Sequence, residues 1–68
     1  MNMIPAESSN LAAVGYERGT LYIRFRNGRL YAYFGVPETI YRGLMAADSH
    51  GKYFHAHIRD VYGYQEIG

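Results

Sequence analysis

Sixty-eight residues, a formal charge of +1 and no cysteine imply one domain and exclude a disulfide framework or thiolate metal sites. A chain this short buries only about 60% of the surface its unfolded form exposes. Its hydrophobic fraction of 49% and its eight tyrosines still suffice for a small core. No apolar run approaches the ~18 residues of a membrane-spanning helix. The first residues lack a basic stretch followed by an apolar one, so a soluble, cytoplasmic protein is expected.

In chain order, residues 1–8 read as a loose leader. Leu11-Ala12-Ala13-Val14-Gly15-Tyr16 reads as a first strand, followed by a turn over Glu17-Arg18-Gly19-Thr20 in which Gly19 can take positive φ. Leu21-Tyr22-Ile23-Arg24-Phe25-Arg26 is the second strand. Pairing Tyr16 with Leu21 places Val14 opposite Ile23 and Ala12 opposite Phe25. Gly15 then opposes Tyr22 and Ala13 opposes Arg24. An odd loop length would turn the first strand over.

Asn27-Gly28 is a hairpin signal. With these two as the loop, Arg26 opposes Arg29, Arg24 opposes Tyr31, and Tyr22 opposes Tyr33. Side chains alternate along a strand, so Tyr22, Arg24, Arg26, Arg29, Tyr31 and Tyr33 share one outer face. Leu21, Ile23, Phe25, Leu30, Ala32 and Phe34 take the other.

The third strand ends near Gly35-Val36. Pro37 fits the first turn of a helix, and Glu38 suits its positive end. Ile40, Leu44 and Ala47 form its apolar stripe. Ser49 suits the N-cap of a second helix, whose apolar side carries Phe54, Ile58 and Val61 or Tyr62. Gly63 ends it, and 64–68 form a tail. Three strands cannot leave a greasy face in water, so both helices must cover it. The expected fold is α+β, a three-stranded antiparallel meander with two C-terminal helices packed on one face, in the order β-β-β-α-α. The domain is expected to span 1–68, with loose ends at about 1–8 and 64–68.

An ordered set of short elements resembles the KTSC domain. They are Ser8-Ser9-Asn10-Leu11, Gly15-Tyr16, Leu21-x-Ile23-x-Phe25, Gly28, Tyr31-x-Tyr33, Val36-Pro37, Ala47-x-Ser49-x-Gly51-x-Tyr53-Phe54, Ile58-Arg59 and Tyr62. The resemblance implies a small bacterial module that also occurs at the C-terminus of some lysyl-tRNA synthetases. It implies no established activity, and RNA binding has been suggested from that attachment. The family's usual Asn after Tyr-Phe is His55 here.

Four of the seven basic residues, Arg18, Arg24, Arg26 and Arg29, fall in the hairpin region, a local patch that suits an anionic partner. Tyrosines on an open sheet can stack unpaired bases while arginines meet phosphates. The same residues also suit a plain structural role, since cross-strand tyrosine and arginine pairs stabilise sheets. They suit a protein interface as well. An Arg26–Arg29 pair slightly destabilises a hairpin, and an anionic ligand would relieve it.

His50, His55 and His57 have no spacing that brings them to one metal ion. Ser8, Ser9 and Ser49 lack an arranged base, and the glycines form no phosphate-cradling loop. The expectation is a non-enzymatic module with no cofactor, metal or membrane partner. RNA, tRNA included, is the preferred partner. The alternative is a protein-interaction or homodimerisation module using the same face or a sheet edge.

Overall fold

The computed structural model describes residues 3–6 and 10–68; Glu7, Ser8 and Ser9 lie outside the described residues. The element order is β1 (Ile4–Pro5), β2 (Leu11–Glu17), β3 (Thr20–Phe25), β4 (Leu30–Tyr33), α1 (Glu38–Ala46), α2 (His50–His57) and β5 (Tyr64–Glu66). The strands form one antiparallel sheet in the order β1-β2-β3-β4-β5. The α+β class and the paired helices agree with the sequence reading. The sheet has five strands rather than three.

The two extra strands come from the segments expected to be loose. Ile4 and Pro5 pair with Val14 and Ala13, and Pro5 sits on an edge, where its missing N–H breaks no ladder. At the other end Tyr64, Gln65 and Glu66 pair with Tyr33, Ala32 and Tyr31. Backbone pairing continues past β5, since the Leu30 N–H donates to Gly68 at 2.7 Å and the Ile67 N–H to Leu30 at 2.8 Å.

The β2–β3 register follows the sequence reading from Tyr16–Leu21 back to Ala13–Arg24. Arg18 and Gly19 both have positive φ, 51° and 80°, as a two-residue loop of matching twist requires. Beyond Ala13 the register shifts, and Leu11 rather than Ala12 opposes Phe25. That bulge turns Leu11 inward, where it is fully buried.

The β3–β4 hairpin departs from expectation. Leu21 opposes Tyr33, Tyr22 opposes Ala32, Ile23 opposes Tyr31 and Arg24 opposes Leu30. The cause is the turn. A two-residue loop of this type needs positive φ at both Asn27 and Gly28, but Asn27 is not among the non-glycine residues with positive φ, and Gly28 is at 91°. Arg26, Asn27 and Gly28 together form the loop. The Phe25 N–H donates to Arg29 and the Gly28 N–H to Phe25, both at 2.9 Å. Asn27 Oδ1 accepts from the Arg29 N–H at 2.9 Å. One extra loop residue slips the pairing by one and exchanges the faces of β4.

Tyr31 and Tyr33 therefore lie on the helix-covered face with Leu21, Ile23 and Phe25. Leu30 and Ala32 lie on the outer face with Tyr22 and Arg24. The core is Leu11, Val14, Leu21, Ile23, Tyr33, Val36, Leu44, Phe54 and Ile58, closed by Ala6. Fully burying an aliphatic side chain such as Leu44 contributes about 1.5–3 kcal/mol.

Pro37 occupies the N-cap of α1, with Glu38 in its first turn. Ser49 caps α2, its Oγ accepting from the Lys52 N–H at 3.2 Å. Helix α2 ends at His57 rather than continuing to Gly63. Ile58 is its C-cap and is fully buried, and Asp60 at φ 62° reverses the chain. Val61, a candidate for the apolar side, is exposed, while Tyr62 packs against the core.

Candidate nucleic-acid interface

The slipped register divides the six residues that the sequence placed on one face. Tyr22 and Arg24 remain on the outer face, with small neighbours at Ala13 and Gly15. Arg24 Nη1 donates to the Gly28 carbonyl at 2.9 Å. Arg26 lies in the hairpin loop, and its Nη2 donates to the Ala6 carbonyl at 3.3 Å. Arg29 opposes Phe25, not Arg26, and its guanidinium is 3.9 Å from Glu66. The Arg26–Arg29 cross-strand pair does not exist, so no anionic ligand is needed to relieve it.

Tyr31 and Tyr33 meet a different set of partners. An open groove of about 620 Å³ runs between the end of the β3–β4 hairpin, strands β4 and β5, and the end of α2. Phe25, Tyr31, Tyr33, Phe54 and Tyr64 are its aromatic lining, and Arg26, His55, Arg59 and Asp60 are its titratable residues, with Asn10 and Asn27 beside them. The Tyr31 ring lies 6.4 Å from Tyr33 and 5.6 Å from Tyr64, and Tyr33 lies 5.5 Å from Tyr64. Phe54 meets Tyr33 edge-on at 5.4 Å and Phe25 at 5.5 Å. Edge-to-face is the geometry aromatic pairs prefer over a face-to-face sandwich. Tyr33 and Phe54 are buried, Tyr31 is half-buried, and Tyr64 is 58% exposed.

The tyrosine hydroxyls differ in their surroundings. Tyr31 donates to Glu66 Oε1 at 3.3 Å. The Tyr33 phenol is pushed up to about 12, first by burial and then by the Tyr31 and Tyr64 phenols; Arg59 pulls the other way and Asp60 adds to the rise. Arg59 Nη1 lies 3.2 Å from His55 Nδ1, within hydrogen-bond reach, and Arg59 Nε lies 4.0 Å from Asp60. Two guanidinium groups, Arg26 and Arg59, thus flank an aromatic floor.

Phe54, Arg59 and Tyr64 are among the groove residues that the sequence does not mark as site residues. Phe54 reads as ordinary helix core, Arg59 as a polar residue of the same helix, and Tyr64 as part of the expected tail. The histidines diverge: His50 Nδ1 is 2.8 Å from the Leu44 carbonyl, His55 meets Arg59, and His57 packs on the Tyr53 ring at 4.4 Å. Among the described residues no three His, Asp or Glu side chains group to hold a metal ion. No helix there is long and apolar enough to cross a membrane.

A profile of the KTSC domain matches residues 7–62. The chain belongs to the KTSC domain family. The crystal structure of a KTSC domain protein from Yersinia pestis superposes with a TM-score of 0.94 at 33% identity, covering 98% of this chain and 97% of that one. A protein of Stutzerimonas stutzeri is 38% identical over 56 residues, 79% of each chain. The lysine–tRNA ligase of a Nostoc species is 36% identical over 67 residues, which is 96% of this chain and 12% of the ligase. This KTSC chain therefore spans only a small part of the synthetases it matches. KTSC is a small domain and not by itself an enzymatic family.

Proposed function

We propose that this KTSC domain is a non-enzymatic module that binds RNA in the groove between the hairpin end and α2. The observation that carries this reading is the meeting of Tyr31, Tyr33 and Tyr64 within 5.5–6.4 Å of one another, in a groove that Arg26 and Arg59 also line. Every base has a π-face, and an exposed tyrosine ring can stack on it; guanidinium groups at the rim can meet the phosphates. The similarity to a segment of lysine–tRNA ligase, a protein whose name makes tRNA its substrate, supports RNA as the nucleic acid. The site thereby moves from the Tyr22 and Arg24 surface to the opposite side of the sheet, keeping Arg26, Tyr31 and Tyr33, while Arg29, on the Tyr31 side, stays 3.9 Å from Glu66 and outside the groove lining.

The test is an amide-shift titration with a short oligoribonucleotide and with total tRNA at low salt. Amides of Tyr31, Tyr33, Arg59 and Tyr64 are expected to move, and those of Ala13 and Tyr22 to stay. A folded protein whose groove amides stay still in both titrations sinks the reading. Shifts of the outer-face amides with protein concentration alone would instead support self-association.

A further inference from the structure

Resting on that reading, we infer that the groove holds one unpaired nucleotide, a single base with its adjoining phosphate, and is not a track for a run of strand. The aromatic supply sets the first limit. Tyr33 and Phe54 are only 5% and 4% exposed, so their ring faces are spent on the floor. Tyr31 is already in contact with Phe25, Tyr33 and Tyr64. Tyr64, at 58% exposed, has the one broadly open ring in the groove. One open ring stacks one base.

Charge sets the second limit. The guanidinium groups lining the groove are Arg26 and Arg59. Asp60 sits beside Arg59 with its side chain 88% exposed. Glu66, its carboxylate within reach of the Tyr31 hydroxyl, follows Tyr64 along β5 and is 46% exposed. A strand running on past Asp60 would bring phosphates against a carboxylate, and one running on past Glu66 would meet only the Arg29 guanidinium that Glu66 already pairs with at 3.9 Å. Favourable phosphate contact is thus confined to the space between the arginines. The groove volume of about 620 Å³ also falls in the usual range for small-molecule sites, about 300–1,000 Å³.

The chemistry is shared by a free nucleotide and by an exposed nucleotide of an RNA strand, and the experiment separates them. Adenosine monophosphate and hexaadenylate are titrated against the protein across a salt series. The expected result is binding of both, with affinities per nucleotide agreeing within about threefold, and a log K against log salt slope of about −0.7, as one single-strand phosphate contact gives. Hexaadenylate binding more than about 30-fold tighter, with a slope of about −2.8 or steeper, would make the groove part of a track and overturn the inference while the RNA reading stands. Binding of the monophosphate with none of the oligonucleotide would uphold the one-nucleotide site and overturn the RNA reading. Binding of neither overturns both.

Discussion

The Tyr53 ring lies against Gly43 so closely that a Cβ placed on Gly43 would come 2.1 Å from its hydroxyl and 2.7 Å from the adjoining ring carbon. The helix contact depends on that missing side chain. Gly43 lies inside α1, where alanine alone would gain about 1 kcal/mol of helix propensity. The clash outweighs the gain, because Tyr53 is held by its contact with His57 and the core and overpacking costs about 1–3 kcal/mol. Gly43→Ala is expected to lower stability by up to about 2 kcal/mol in urea denaturation, the overpacking cost less the propensity gain. Adding Tyr53→Ala should cost less than the sum of the single changes. A Gly43→Ala protein as stable as the parent would mean the ring swings aside freely.

Arg18 sits at φ 51° next to Gly19 at 80° in the β2–β3 turn. The left-handed region costs an ordinary residue about 1–2 kcal/mol, and asparagine enters it more readily. The turn cannot relax, since the Val36 N–H donates to the Gly19 carbonyl at 2.8 Å. Arg18→Asn is expected to raise stability by roughly 0.5–1 kcal/mol, and Arg18→Val to lower it by about 1 kcal/mol or more. Equal urea midpoints for the two variants would contradict this account.

Tyr33 gives stability a dependence on high pH. Its pKa in the folded protein is pushed up to about 12, above the 10.0 of a free phenol, mainly by burial, so the folded state favours the neutral phenol. The contribution is fully present below pH 10 and is lost as pH rises towards 12. A two-unit difference corresponds to about 2–3 kcal/mol at most. Denaturation curves at pH 9 and pH 11.5 should therefore separate more for the parent than for Tyr33→Phe. Identical pH losses in both proteins would remove Tyr33 as the cause.

Much of this fold is legible in the sequence, and the exceptions have definite origins. The β2–β3 register follows from Val14, Tyr16, Leu21 and Ile23 because Leu21, Ile23 and Val14 are fully buried, and a slip would expose them. The Ser49 cap is equally legible. The β3–β4 register is not, because Asn27-Gly28 serves both a two-residue and a three-residue loop. Either face of β4 can also close a core: Leu30-x-Ala32 is apolar, and Tyr31-x-Tyr33 buries two large rings. Local pattern could not choose; the three-residue Arg26-Asn27-Gly28 loop sets the register, and Phe54 of α2 packs edge-on against the Tyr33 ring it turns inward. The same ambiguity hid the groove. Strand β5 has three residues, all exposed, and no apolar alternation announces it. Its place is set by pairing with β4.

Tyr64 and Arg24 separate the groove from the outer face in function. Tyr64 is 58% exposed, on the three-residue edge strand β5, so Tyr64→Ala removes the open ring while leaving the core intact. Stacking contributes about 1–3 kcal/mol per base, so oligoribonucleotide affinity should fall by roughly 5- to 150-fold. The stability cost should stay within about 1 kcal/mol, as expected for the loss of cross-strand ring contacts. Arg24→Ala removes a guanidinium on the opposite face, bonded to the Gly28 carbonyl. Its RNA affinity should stay within about twofold of the parent at moderate salt, where charges beyond about 10 Å are screened. Fluorescence anisotropy with a labelled hexanucleotide measures both. If Arg24→Ala loses affinity and Tyr64→Ala keeps it, RNA binds the outer face and the groove assignment is wrong.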